Sequence, residues 1–282
     1  MTTNILKALI NIQGYGINDL SNIVVAENPK QPRVNAVGDK LEGYIKDSLC
    51  DSFNITNPSQ KIEAYMLELS HLGSQNNPPD IMIRGGDAIE VKKVAGFGTS
   101  ALPLNSSSPK QVISCEDPMI NSNCKNCEIW DKKDLIYAVG NISSSNIGVL
   151  SFIYGDCYCA SKEHYDKVKD AMSEGIEKLD MEFSKTKELG RLNKIDPLKI
   201  TDLRIRGMFQ IAPPLVVFSD LIKTCPKKKL CVYAIMRKGK FESFPDEDKK
   251  KIQTEMSVID IKIKDPDNPK NKLDAKLITF SF

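Results

Sequence analysis

The hydrophobic and polar positions change period several times along the chain, and each change marks a predicted element. From Asn4 to Ile12 the apolar residues Ile5, Leu6, Leu9 and Ile10 recur at helical spacing, and a polar, proline-containing stretch over residues 27–35 follows. A second helix is predicted over about 38–53. Leu41, Tyr44, Ile45, Leu49 and Phe53 form its apolar side, and Glu42 lies near the edge of that side. Residues 75–79 are a loop signal, because each proline fixes φ and turns the residue before it away from helix. The period then shortens to two. Residues 80–83 are extended in character, Arg84, Gly85, Gly86 and Asp87 supply a turn, and 88–94 reads as the returning strand of a hairpin.

Beyond the hairpin, residues 96–109 are rich in Gly, Ser and Pro and read as an ordered loop, while 115–127 is polar and irregular. Two β-branched or aromatic runs, 135–142 and 148–154, flank a Ser/Asn turn and predict an antiparallel pair. Residues 162 to about 189 carry charge-rich helical periodicity, with Tyr165, Val168, Met172, Ile176 and Leu179 expected as the inward stripe and Gly190 as the terminator. Further strands are expected at 230–236 and 256–263, with a mixed segment between them and the helix. No repeat or linker interrupts the chain. Helices before and after a run of strands predict one α/β (α+β) domain around a mixed sheet.

Composition narrows the class. At 282 residues the chain can bury a substantial core, and 41% apolar with 27% charged residues is the balance of a globular protein. No stretch approaches the roughly 18 uninterrupted apolar residues of a membrane helix. The opening MTTNILKALINIQG lacks a signal peptide's charged start and cleavage site, so a cytoplasmic protein without membrane partners is expected. Eight cysteines in that setting read as buried thiols. A net charge of +2 gives no global attraction to nucleic acid. Basic runs at 227–229, 237–240 and 249–251 could neutralise phosphates if one cleft gathered them; otherwise they are solvated loops and helix ends.

The hairpin carries the chemistry. Residues two apart on a strand share a face, so Glu90 and Lys92 point one way while Ile89 and Val91 anchor the other. Asp80, at the start of the neighbouring strand, reaches the same end of the sheet. Phosphodiester hydrolysis needs this set. Two carboxylates hold Mg²⁺, a hard cation that takes oxygen ligands and keeps several waters. The lysine orients or deprotonates the attacking water and offsets charge on phosphorus. Glu42 is a candidate third carboxylate, its bland reading being an exposed helical glutamate. Asp87 could also reach inward, but within Arg84-Gly85-Gly86-Asp87 it reads first as a turn residue.

Pro79-Asp80 followed by Glu90-Val91-Lys92 resembles the PD-(D/E)xK nuclease superfamily. Longer phrases at 76–83 (NNPPDIMI), 86–93 (GDAIEVKK), 101–110 (ALPLNSSSPK), 130–140 (WDKKDLIYAVG) and 154–158 (YGDCY) together resemble the NgoPII family of restriction endonucleases, from about residue 35 to 209. The resemblance implies a restriction-endonuclease-like core within a single nuclease domain: N-terminal helices to about residue 72, a catalytic core over about 73–160, and a region over about 161–282 contributing to DNA recognition. It further implies a homodimer that cuts double-stranded DNA at a short palindrome, GGCC, within a restriction–modification system. Two-fold symmetric sites suit two-fold symmetric dimers. Guanine favours Arg or Lys donors. The candidate DNA-binding residues are Arg204 and Arg206, whose alternative is a surface strand of alternating charge, together with Asn105, Ser106, Ser107 and Lys110.

Other readings are weighed beside this one. A structure-specific or repair nuclease would share the same core. A non-catalytic DNA-binding protein would instead be built on a structural Zn²⁺ held by four thiolates drawn from Cys115, Cys124, Cys127, Cys157 and Cys159, though their spacing is not that of a standard finger. His71 and His164 give no histidine-based nuclease. Gly14-Tyr-Gly16 and Gly96-Phe-Gly98 lack the strand–turn–helix setting of a nucleotide-binding motif.

Overall fold

The computed structural model describes residues 3–24, 36–73, 77–186, 189–224, 226 and 229–282. Helix α1 (Ile5–Tyr15) begins where the Asn4 side chain accepts the Leu6 and Lys7 N–H groups, and it buries Ile5, Leu6, Leu9 and Ile12. Helix α2 (Ala36–Cys50) turns Leu41, Tyr44, Ile45 and Leu49 into the core. Sequence periodicity did not reveal α3 (Pro58–Glu68). Its start signal is nevertheless a strong one, with the Asn57 side chain capping two N–H groups and Pro58 in the first turn.

Among the described residues the main sheet has nine strands: β1 (Leu69–His71), β2 (Ile81–Ile83), β3 (Ala88–Ala95), β4 (Val112–Ser114), β5 (Lys132–Ser143), β6 (Asn146–Tyr154), β7 (Cys231–Arg237), β8 (Ser257–Lys264) and β9 (Lys272–Ser281). Their order is β1-β2-β3-β5-β6-β7-β9-β8, with β4 paired to the start of β5. The β3–β5 and β6–β7 pairs are parallel and the others antiparallel, so the sheet is mixed, as expected. The central strands β5 and β6 are buried over most of their length, which requires cover on both faces and explains their nearly continuous apolar runs. This mixed sheet flanked by helices is a restriction-endonuclease-like α/β architecture.

The helix expected to run to about residue 189 ends much earlier. Helix α4 spans Lys162–Glu177, and Gly190 opens a strand instead of closing the helix. Glu182–Ser184, Gly190–Asn193 and Leu203–Ile205 form a separate three-stranded sheet, with Phe183 opposite Leu192; this pairing overrides helix propensity. The stripe is inward only in part: Tyr165 and Ile176 are half-buried, and the Tyr165 ring packs edge-on against Phe209. Val168, Met172 and Leu179 are instead 57%, 51% and 50% exposed, while Ser173, about a quarter turn round the helix from Met172, donates to the Leu189 carbonyl at 2.8 Å. Period fixes which residues share a face, not which face meets the core. Cys231 is disulfide-bonded, contrary to the reading of every cysteine as a thiol, because sequence spacing does not report which sulfurs the fold brings within bonding distance. Among the described residues, no helix is long and apolar enough to cross a membrane.

Candidate active site

In the β2–β3 hairpin, Ile81 lies opposite Ile89 and Met82 opposite Ala88, all fully buried. These pairs pin the register, and the period of two then sends Glu90 and Lys92 to one face. The turn closes through Ile83 N–H to the Asp87 carbonyl at 2.9 Å and Gly86 N–H to the Ile83 carbonyl at 3.0 Å. Buried Lys133 tightens it by donating to the carbonyls of Ile83 and Gly86. The Val91 N–H donates to Asp80 Oδ2 at 2.7 Å, drawing that carboxylate onto β3. Lys92 Nζ donates to Glu90 Oε1 at 2.6 Å, and the two side chains are 19% and 12% exposed.

Two carboxylates share this poorly hydrated place with one lysine. Burial raises the Asp80 carboxyl above its ordinary range, against the pull of Lys92. Burial, and then the charge of Asp80, push Glu90 up to about 7. For Lys92 burial alone would favour the neutral amine, but Glu90 and Asp80 outweigh it and raise its pKa. Glu90 Oε2 is buried and has no hydrogen-bond partner among the described residues.

A stability prediction follows from Glu90. An unfolded glutamate titrates near about 4.3, so the folded state binds more protons between there and about 7. The sign is that stability is full at the acid end of this window and falls as pH rises through it. Denaturant unfolding in chelator is expected to show wild type losing stability relative to Glu90→Gln from about pH 4.3 to about 7. A difference that stays constant with pH would contradict the shift.

Helix α2 brings Glu42 to the same neighbourhood. Gly73, at φ +96°, lies between Glu42 and the Asp80 backbone: a Cβ there would sit 2.7 Å from the Asp80 carbonyl oxygen and 3.2 Å from Glu42 Oε1. Lys46 donates to Glu42 Oε1 at 2.6 Å and to the Leu72 carbonyl at 2.8 Å. Burial, opposed by Lys46 and reinforced by Asp80, raises the Glu42 pKa. Among the described residues no three His, Cys, Asp or Glu side chains converge as a metal cage, so Asp80 and Glu90 stand as a pair with Glu42 beside them.

Asp80, Glu90 and Lys92 line a cleft of about 790 Å³ whose other walls include Asn105, Ser106, Ser107, Lys110, Arg204 and Arg206. All six candidate DNA-facing residues are thus gathered with the carboxylates. Two loops a hundred residues apart are joined to build that wall. Leu102–Pro103 pairs with Gln210–Ile211, and the ladder continues as Leu104 N–H to the Phe209 carbonyl and Phe209 N–H to the Asn105 carbonyl. Arg204 lies on the exposed strand Leu203–Ile205, so the alternating-charge description and the cleft position both hold.

The chain matches the family model described as NgoPII restriction endonuclease over residues 3–267. That match spans every residue of the cleft. The chain belongs to the NgoPII restriction endonuclease family. It is 43% identical over 281 residues to the type II restriction enzyme NgoPII of Neisseria gonorrhoeae, covering 98% of this chain and 99% of that protein. No solved structure matches the chain at a significant level. As a restriction endonuclease it is a hydrolase that cleaves DNA.

Other features of this NgoPII-family chain escaped the sequence reading. Asp87 is more than a turn residue. Its carboxylate is buried and accepts from Tyr154 Oη at 2.7 Å and Lys240 Nζ at 2.6 Å, while Lys240 also reaches Asp134 at 2.7 Å. One lysine of the 237–240 basic run is therefore bound inside the molecule, pinning the β2–β3 turn from 153 residues away. The 227–229 run falls partly outside the described residues. Cys127 Sγ lies 3.0 Å from the Cys124 carbonyl oxygen, and burial pushes the Cys124 thiol up to about 12 and the Cys159 thiol likewise.

Proposed function

We propose that this protein is the site-specific endonuclease of a restriction–modification system, hydrolysing both strands of double-stranded DNA at a short palindrome, GGCC, with Mg²⁺ as cofactor. The observation that supports this reading is the gathering of Asp80, Glu90 and Lys92 with six polar or basic candidate DNA contacts on one cleft. The residues fit the ion. A buried carboxylate oxygen without a partner, beside a second buried carboxylate, is suited to a hard dication, and Mg²⁺ commonly takes one or two protein carboxylates and fills its shell with water.

Asp80 and Glu90 would hold Mg²⁺, with Glu42 flanking them. When bound, the ion supplies a Lewis acid for the scissile phosphate and acidifies a water. Lys92, kept as an ammonium by Glu90 and Asp80, orients that water and offsets the negative charge that builds on phosphorus. The Val91 N–H keeps the Asp80 carboxylate turned inward. Asn105, Ser106, Ser107, Lys110, Arg204 and Arg206 hold the duplex by donating to phosphates or guanine edges.

A palindromic site calls for two copies related by a two-fold axis. The exposed Val168 and Met172 of α4, with Leu179 just beyond its end, offer a second copy an apolar surface. Met172→Glu is expected to convert a dimer into a monomer, read by sedimentation, and to lower double-strand cleavage at least tenfold at dilute protein, since a buried unpaired charge costs several kcal/mol. A dimer unaffected by this change would place the interface elsewhere.

Digestion of a fully sequenced plasmid with Mg²⁺ tests the proposal. Discrete fragments whose ends share one palindrome support it, and the ends define the site. A smear would favour a structure-specific or repair nuclease. Absence of cleavage together with bound zinc would leave the binding-protein reading.

A further inference from the structure

Lys110 stands out on the cleft wall because the protein holds it at both ends. Its side chain is 10% exposed, and Nζ donates to Asp117 Oδ2 at 2.7 Å. Asp117 is 11% exposed, and its other oxygen accepts the Met119 N–H at 2.8 Å, which fixes the carboxylate. The Lys110 backbone N–H donates to the Tyr137 phenol at 2.8 Å, and Tyr137 lies directly opposite Glu90 on the adjoining strand β5. On the other side the chain passes against Gly155, where a Cβ would meet the Lys110 carbonyl oxygen at 2.3 Å. This ammonium is set at a fixed place relative to the catalytic strand. Arg204 and Arg206, by contrast, are exposed.

Its chemistry is unsuited to gripping phosphate. A phosphate contact contributes mainly by neutralising backbone charge and releasing counterions. Asp117 already cancels the charge of Lys110 at contact distance and would repel an approaching phosphate. What the pair retains is donors. An ammonium carries three N–H groups, Asp117 takes one, and among the described residues no other acceptor takes the remaining two. Two donors on a fixed nitrogen match guanine, which presents O6 and N7 side by side in the major groove. Adenine would put an amino group where O6 stands, leaving a donor facing a donor.

We infer that Lys110, held by Asp117 as its positioning residue, reads a guanine of the recognition site and is a specificity determinant, not a phosphate clamp. The inference rests on the site-specific reading above and names the base contact within it. Its geometric content is that one G·C position is read in register with the scissile bond, because the reader's backbone is bonded to the residue paired with Glu90.

The test uses the full chain and the site mapped by plasmid digestion. Cleavage rates are measured on the mapped duplex and on duplexes carrying A·T for G·C at each symmetric pair of positions, and binding is titrated with salt in chelator. For Lys110→Gln, cleavage of the mapped duplex is expected to fall about 5- to 150-fold. The rate should stay unchanged on the duplex substituted at one particular position, so that preference collapses there alone, with the salt slope unaltered. Asp117→Asn should lower the same preference while steepening the salt slope by about one phosphate equivalent, as the freed ammonium turns to the backbone. Asp117→Glu should recover part of the preference. An even loss on all duplexes with the slope reduced by about one would make Lys110 a phosphate clamp and overturn the inference. Should Lys110→Gln unfold, Asp117→Asn carries the same discrimination. A wild type without discrete fragments overturns the parent reading and this one together. Discrete wild-type fragments with preference intact in both variants overturn this one alone.

Discussion

Glu90→Gln is expected to lower DNA cleavage at least about 1,000-fold while leaving the protein folded and able to bind DNA. The carboxamide keeps the shape of the side chain and can still accept from Lys92, whose ammonium lies 2.6 Å from Glu90 Oε1. What it removes is a negative oxygen at the place where a second oxygen, Oε2, is buried without a partner. Loss of metal-assisted charge stabilisation is worth several kcal/mol, and about 4 kcal/mol corresponds to three powers of ten in rate. Lys92→Met should lose cleavage to a similar extent for a different reason. Its two carboxylates remain, so Mg²⁺ binding measured by calorimetry should persist in Lys92→Met and be weakened in Glu90→Gln. A Glu90→Gln protein that cuts within tenfold of wild type would remove Glu90 from the catalytic set.

The hairpin behind this prediction was legible in sequence because everything that specifies it is local. A double proline stops helix, a glycine turn reverses the chain, and Glu90 and Lys92 two residues apart must share a face. The surroundings were legible in proportion to their locality. Glu42 could be nominated from its helix, but neither Lys46, which ties up Oε1, nor Gly73, whose bare Cα lets the chain pass Asp80, carries a sequence signal. Arg204 and Arg206 could be named as donors, yet their arrival at Asp80 depends on pairing Leu102–Pro103 with Gln210–Ile211. No periodicity reports a contact across such a separation.

The errors have the same origin. Residues 162–189 are uniformly rich in helix-forming Lys and Glu, so intrinsic preference ran past the point where the Glu182–Ser184 strand finds a partner. The stripe of α4 has the spacing of a core face, but periodicity does not report how far the helix is rotated about its axis, so Tyr165 and Ile176 meet the protein while Val168 and Met172 stay exposed. Strand β9 was missed because Lys and Asp alternate with its apolar residues at the start, diluting the apolar run that made β5 and β6 visible. Asp87 looked like a turn residue because its partners, Tyr154 and Lys240, are 67 and 153 residues away.

Lys61→Met is expected to cost about 3–5 kcal/mol of folding stability, the largest loss from any single surface-distant change considered. Lys61 and Asp47 are 1% and 0% exposed and bonded at 2.7 Å, and Asp47 Oδ1 also accepts from Tyr65 Oη at 2.7 Å and Ser52 Oγ at 2.8 Å. Burial raises the Asp47 pKa even with these three partners in place. Without Lys61 that carboxylate is an uncompensated charge in the core, and its pKa rises further. The variant's folded pKa then lies well above the unfolded value of about 3.9, so its deficit relative to wild type should be smallest in acid and grow as pH rises through the raised pKa. Adding Asp47→Asn should restore at least half of the loss, because the penalty belongs to the stranded charge more than to the missing contact. A single-mutant loss under about 1 kcal/mol, or a double mutant as unstable as the sum of both singles, would refute this account. The pair bonds α3 to α2, the helix that carries Glu42 and Lys46, but neither Lys61 nor Asp47 lines the cleft. Cleavage per folded molecule should therefore stay within about threefold of wild type, which separates a loss of fold from a loss of chemistry.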